Sequence, residues 1–144
     1  MKNREERKYC INRKGFTLIE LLVVMVILAM LAAIVGPKLF TKVGKGKQAA
    51  AKTQIEMLGQ ALDSYRLDTG HYPNTSQGLN ALITNPGVEG WDGSYLKKAL
   101  PNDPWMKPYQ YQSPGTHGDY DLFSYGADGA PGGEGENKDV NSWE

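Results

Sequence analysis

Two groups of side chains in this sequence stand where chemistry is possible. The first is Glu20, the only charged residue between Phe16 and Val35. A carboxylate inside an apolar helix costs about 2.5–3.5 kcal/mol on insertion scales unless a partner meets it. A cut after Gly15 would free an ammonium group on Phe16, four residues and about 6 Å along the axis from Glu20. Within one helix, Glu20 lies near the positive end of the dipole. Between two parallel copies shifted by about a turn, the ammonium of one meets the carboxylate of the next. Such a pair rewards a staggered stack of identical chains. The alternative is an acid close enough to the interface to reach the lipid headgroups.

The second group is the oxygen-rich stretch from Asp128 to Asn141, which interleaves Asp128, Glu134, Glu136, Asn137, Asp139 and Asn141 with four glycines, Gly129, Gly132, Gly133 and Gly135. Hard cations such as calcium take six to eight oxygens at about 2.3–2.6 Å, backbone carbonyls included. Asp128 and Asp139 have the end spacing of an EF-hand loop, with Gly133 at its central glycine. Ala130 and Gly132 stand where ligands are needed, so this is not an EF-hand. A cation loop and a solvated acidic loop both remain open on the residues alone. Catalysis has little support: no Ser/His/Asp set falls in register, and no glycine loop that could cradle a phosphate precedes a helix. His71 and His117 lie far apart without an acid cluster at ligand spacing and read as structural or surface residues.

These groups need elements to position them. The run from Phe16 to Val35 would extend about 30 Å as a helix, the thickness of a bilayer's hydrocarbon core. Lys2, Arg4, Arg7, Lys8, Arg13 and Lys14 precede it, which places the N-terminus in the cytoplasm. A secretory signal with small residues at Ala29, Ala32 and Ala33 is the competing reading, but the run is long for one and carries an acid at its start. Gly36-Pro37 predicts a kink or local melting. Lys38, Lys42, Lys45 and Lys47 then form a basic patch that Gly44 and Gly46 would soften. From Gln48 to about Asp68, Ala51, Ile55, Leu58, Leu62 and Tyr65 recur at helical spacing, and Thr69-Gly70 supplies the stop.

Further on, Ser76 to Ile83 reads as a short helix capped by Thr75 or Ser76, and Trp91 to Leu100 as another short segment. Pro101 to Trp105 must be irregular, with Trp105 anchoring that loop in the core. Residues 108–112 and 120–125 alternate as strands. The predicted fold class is α+β: a long N-terminal helix, half membrane and half amphipathic, packed on a small antiparallel sheet.

At 144 residues, one membrane helix plus one small domain is the natural count. The zero net charge hides a basic leader and an acidic remainder, and no basic stripe is left for nucleic acid. The single cysteine, Cys10, falls in the leader, so a processed chain has no disulfide.

Lys14-Gly15-Phe16-Thr17-Leu18-Ile19-Glu20 resembles the processing site of type IV pilins and type II secretion pseudopilins. The resemblance implies that a prepilin peptidase cuts between Gly15 and Phe16, that the amine of Phe16 is methylated, and that Glu20 serves assembly. Thr69-Gly70-His71-Tyr72-Pro73, Gln77-Gly78-Leu79-Asn80-Ala81-Leu82, Asp103-Pro104-Trp105, Pro108-Tyr109-Gln110-Tyr111 and Phe123 to Gly129 look like the major pseudopilin of the type II system, its G-type core protein. One departure is Met106, where that family often has glycine.

The division so implied is a removed leader at 1–15, a transmembrane and assembly helix at 16–37 and a periplasmic pseudopilin domain at 38–144. The same resemblance implies calcium as the cofactor, held by Asp128, Asp139 and Asn141 through side chains and by the Tyr125 carbonyl. It also implies a single-pass protein of the bacterial inner membrane with its C-terminal domain in the periplasm. The implied partners are copies of itself, minor pseudopilins, the assembly platform, the prepilin peptidase and membrane lipid. The implied function is a non-enzymatic pseudopilus subunit that drives export of folded proteins across the outer membrane. A type IV pilus subunit is the alternative, although such pilins usually close their C-terminal region with a disulfide.

Overall fold

A computed structural model describes residues 15–144. The basic residues from Lys2 to Lys14 and Cys10 lie outside the described residues. The chain divides into two compact units, Met1–Lys38 and Leu39–Glu144.

Helix α1 runs over Leu18–Thr69. In the first unit every residue from Leu18 to Val35 is exposed. This part alone is long and apolar enough to cross a membrane. The helix passes through Gly36 and Pro37 without interruption, so the expected melting is not found. Proline removes its own amide donor and crowds the preceding turn, but the helical ladder on either side continues across it. Gly44 and Gly46 are helical too, and Gly44 is buried. The expected soft linker is therefore regular helix, and Gly44 serves a contact with a later loop.

In the second unit Ala51, Ile55, Leu58, Leu62 and Tyr65 are all buried, so the predicted face is the packed one. Gly70 ends the helix at φ 83°, its N–H donating to the Arg66 carbonyl at 2.8 Å. A left-handed residue at this position caps a helix while satisfying one of its orphan carbonyls. The buried face packs against Leu79, Ala81, Leu82, Tyr109 and Leu122.

The connections differ from expectation in two places. The helix predicted from Ser76 is only a 3-10 turn at Leu79–Leu82. Gly78 enters it at φ 60°, which no α-helix accommodates. The N-cap of the 3-10 turn is Gly78 without a side-chain cap, rather than Thr75 or Ser76, and Asn74 closes the turn before it, its side-chain oxygen accepting from the Gln77 N–H at 2.9 Å. The core-facing indole is Trp91, which donates to the Ala81 carbonyl at 2.8 Å and meets Tyr95 edge-on. Trp105 is only part-buried and stands outside the core cluster. No regular helix forms between Trp91 and Leu100.

The sheet has three antiparallel strands in the order β1 (Gln110–Gln112), β2 (Asp121–Ser124) and β3 (Val140–Asn141). Gln110 pairs with Phe123, and Phe123 in turn pairs with Asn141. β3 has two residues, too few to leave an alternating pattern in the sequence. It returns the acidic segment to the edge of the sheet beside the central strand β2.

Candidate functional site

Gly15 and Phe16 precede α1, outside its hydrogen-bonded ladder, and Phe16 is 85% exposed. The Gly15–Phe16 peptide is thus free of regular structure, the form in which a protease reads backbone. Thr17 and Glu20 form a reciprocal cap. The Thr17 N–H and hydroxyl donate to Glu20 Oε2 at 2.9 and 3.0 Å, and the Glu20 N–H donates to the Thr17 hydroxyl at 3.3 Å. This is a capping box, Thr at the N-cap and Glu three residues on. The sequence reading overlooked Thr17, although Thr-x-x-Glu before an apolar run is the signature of such a box. Glu20 therefore has a partner inside its own chain before any neighbour arrives.

In the second unit, the loop that follows β2 is built on glycines. Gly126, Gly129, Gly132, Gly133 and Gly135 all have φ between 63° and 90°, conformations that favour residues without a Cβ. Two carboxylates fasten its tip. Asp128 Oδ1 accepts from the Ala130 N–H at 3.1 Å, and Asp139 Oδ2 accepts from the Gly132 N–H at 2.8 Å. The second oxygen of Asp139, Oδ1, is buried with no hydrogen-bond partner. A buried carboxylate oxygen left bare is costly, and a bound cation would satisfy it.

The sheet register brings the expected residues toward one edge. Asn141 faces Phe123 and Val140 faces Ser124, so Tyr125 and Asp139 follow and precede the last pair of this antiparallel ladder along the chain. Asp128 is exposed three residues beyond Tyr125. Among the described residues no three His, Cys, Asp or Glu side chains gather as a metal cluster. The expected set does not need one, since two of its four members are an amide and a carbonyl.

Lys107 is a site residue that the sequence reading missed. Its ammonium group donates to the Ala127 carbonyl at 2.7 Å and approaches the Gly126 carbonyl at 3.4 Å. The Lys107 N–H is held by Asp103 Oδ1 at 2.8 Å, and the other Asp103 oxygen accepts from the Ser124 hydroxyl at 2.5 Å. Asp103 is buried, so this network fixes the root of the loop to β2. Nothing in the spacing of Lys107 marks it; only the fold places it there.

The C-terminal segment is docked by aromatic contacts. Trp143 stacks on His117 with ring centroids 4.0 Å apart and planes 5° off parallel, and meets Phe123 edge-on at 5.9 Å. His117 Nδ1 lies 3.1 Å from Asp121 Oδ2, while Asp121 also accepts the Thr116 and His117 N–H groups at 2.8 and 3.0 Å. Burial opposes ionisation of Asp121, but these hydrogen bonds together hold its carboxyl below the usual carboxylate range. His117 is thus structural, as its spacing implied.

Comparison with known proteins divides the chain much as its physics does. Residues 38–143 match the family described as "Type II secretion system (T2SS), protein G", and residues 10–36 match the "Prokaryotic N-terminal methylation motif". The chain is 47% identical to the type II secretion system core protein G of Pseudomonas aeruginosa, over 92% of this chain and 96% of that protein. It is 49% identical to the protein of the same name from Vibrio cholerae, over 92% of each. The crystal structure of the major pseudopilin from the type 2 secretion system of enterohaemorrhagic Escherichia coli superposes with a TM-score of 0.63 at 37% identity. That superposition covers 74% of this chain and 95% of the other.

Proposed function

This chain belongs to the type II secretion system protein G family and is a structural subunit of the pseudopilus; from that premise we propose how its two ends serve assembly. A prepilin peptidase cuts after Gly15, removing the leader at 1–15, and the new amine on Phe16 is methylated. The segment 16–37 then spans the inner membrane, with 38–144 in the periplasm. Copies of the chain polymerise, with minor pseudopilins and an inner-membrane assembly platform as further partners, and the growing filament moves folded proteins toward the outer membrane. The work comes from an assembly ATPase, and this chain has no catalytic part in it.

The observation that carries this reading is the first unit's surface. From Leu18 to Val35 every residue is exposed, and all are apolar or small except Glu20. Each large aliphatic residue left in water forgoes about 1.5–3 kcal/mol of burial, so this surface requires lipid or identical helices around it. Glu20 is carried into that setting by its Thr17 cap and exchanges the cap for the ammonium group of a neighbouring copy on assembly.

Calcium fits the second unit for a separate reason. The bare Asp139 oxygen calls for a cation, and Asp128, Asn141 and the Tyr125 carbonyl are the oxygen donors at the same end of the sheet. Bound there, calcium supplies the cross-link that a disulfide supplies elsewhere, coupling its own binding free energy to the fold.

Intact mass and N-terminal sequencing of the membrane-extracted protein test the first part. A chain that starts at N-methylated Phe16 agrees with it; one that starts after Ala33, or still carries Met1, overturns it. Glu20→Ala should leave membrane insertion intact and abolish filaments. Normal filament yield from that variant would remove the ammonium–carboxylate pair from the account.

A further inference from the structure

The acidic loop reaches back to α1 at one place. Gly44 is buried because the Glu136 side chain lies over it. A Cβ built at Gly44 would fall 2.6 Å from Glu136 Oε1 and 2.8 Å from Cδ, well inside contact distance. One turn further along the helix, the Gln48 amide donates to the Gly135 carbonyl and lies 3.4 Å from the Lys138 carbonyl. Beside these contacts a cleft of about 300 Å³ opens, lined by Lys45, Gln48, Lys52, Lys138 and Asp139 among others. The seam on this side is therefore held by a few discrete contacts.

The segment that makes these contacts runs on into Asp139, the residue after Lys138, whose Oδ1 is the bare oxygen. The Glu136 carbonyl accepts from the Ala127 N–H at 2.9 Å, which ties both limbs of the loop together at the point where Lys107 grips Ala127. Residues 135, 136 and 138, which meet α1, thus lie along the chain between Asp128 and Asp139.

We propose that the helical turn Gly44–Gln48 is the seat of the cation loop, so that a cation closing residues 125–141 also orders this turn, and the turn in turn sets the affinity for the cation. The reciprocity is thermodynamic: if loop closure stabilises the seat, the seat must stabilise closure by the same factor. The inference rests on the calcium reading above. It makes Gly44 and Gln48 positioning residues, since neither supplies an oxygen to the ion.

The glycine gives the test an unusual sign. In an exposed helix, Gly→Ala raises helix stability. At position 44 the added methyl displaces Glu136, so Gly44→Ala should weaken calcium binding while strengthening the helix itself.

The experiment uses the full chain in detergent micelles, with calcium titrated by calorimetry and amide hydrogen exchange read with calcium and with EDTA. The wild type should bind calcium and gain protection at residues 44–48 as well as in the loop. Gly44→Ala should bind about ten-fold more weakly by displacing the Glu136 side chain, and Gln48→Ala about five-fold, the size of about one lost hydrogen bond. Lys52→Ala, which lines the cleft without touching the loop carbonyls, should bind as the wild type does. Calcium binding with unchanged protection at 44–48, or with unchanged affinity in both variants, overturns the seat and leaves the calcium site standing. No binding by the wild type overturns the calcium site and the seat together.

Discussion

Two stretches of one helix bear opposite relations to their surroundings. Between Leu18 and Val35 every position is exposed, whereas between Ala51 and Tyr65 the five positions of the apolar stripe are buried. The first is apolar all round and the second is apolar on one face. A helix that is apolar all round has no single partner surface, so it needs a medium or a ring of copies. A striped helix needs one sheet, and this chain supplies it. The difference teaches that one continuous backbone carries two distinct instructions, assembly in the first half and folding in the second.

The largest effect expected from that division is on core truncation. Leu62 is fully buried against β2 and the 3-10 turn, so Leu62→Ala should cost the second unit about 2–5 kcal/mol. Leu31 is 53% exposed in the first unit, and Leu31→Ala should leave the domain's unfolding free energy unchanged within about 0.5 kcal/mol. Urea unfolding of the full chain in detergent, followed by tryptophan fluorescence, reads both. Equal losses from the two variants would break the comparison, because they would mean that both stretches serve one folding unit.

A smaller effect sharpens it by pH. Asp121 belongs to the second unit, and its carboxyl is held below the usual range. The stability it contributes is fully present above its unfolded value, near pH 4, and is lost as pH falls through the lower folded value. Thermal melts of the wild type should therefore drop as pH is lowered from 5 to 2.5. Asp121→Asn should start about 2 kcal/mol lower at neutral pH, since the N–H groups of Thr116 and His117 lose their charged acceptor. It should also fall less steeply on acidification. A slope that matches the wild type's would assign the acid sensitivity to other carboxylates.

Legibility from the sequence followed the range of the interactions. The apolar run, the stripe from Ala51 to Tyr65 and the Thr69-Gly70 stop were readable because each is a local period or a local backbone preference. The N-terminal methylation motif that includes Gly15, Phe16 and Glu20 was readable for the same reason, and the Thr17 cap could have been, since it spans three residues. Lys107, Gly44 and Gln48 were not, because each meets its partners across about 20 to 90 residues of chain. The strand β3 was invisible because its pairing partner, not its own two residues, makes it a strand. Gly44 was misread outright: two glycines near a proline suggested softness, whereas the structure uses one of them to admit Glu136.

The smallest effect concerns one backbone angle in the second unit. Met106 has φ 66°, the only positive value among the described residues that are not glycine, in the turn where Asp103 accepts from Lys107 N–H and Met106 N–H donates back to the Asp103 carbonyl. A side chain with a Cβ in the left-handed region costs about 1–2 kcal/mol, and the Met106 side chain recovers little by burial, being 79% exposed. Met106→Gly removes that strain but adds about 0.4–1 kcal/mol of unfolded-chain entropy to be lost on folding. The net expectation is a gain of about 0.5–1 kcal/mol, a rise of about 2–8 °C in melting temperature for a domain of this size. The turn also carries Lys107, so the same substitution should not alter calcium affinity if Asp103 alone fixes that residue. A fall in melting temperature would mean that the methionine's contacts outweigh its backbone strain, and that this turn, unlike the glycines of the acidic loop, is held in its left-handed form by side-chain packing.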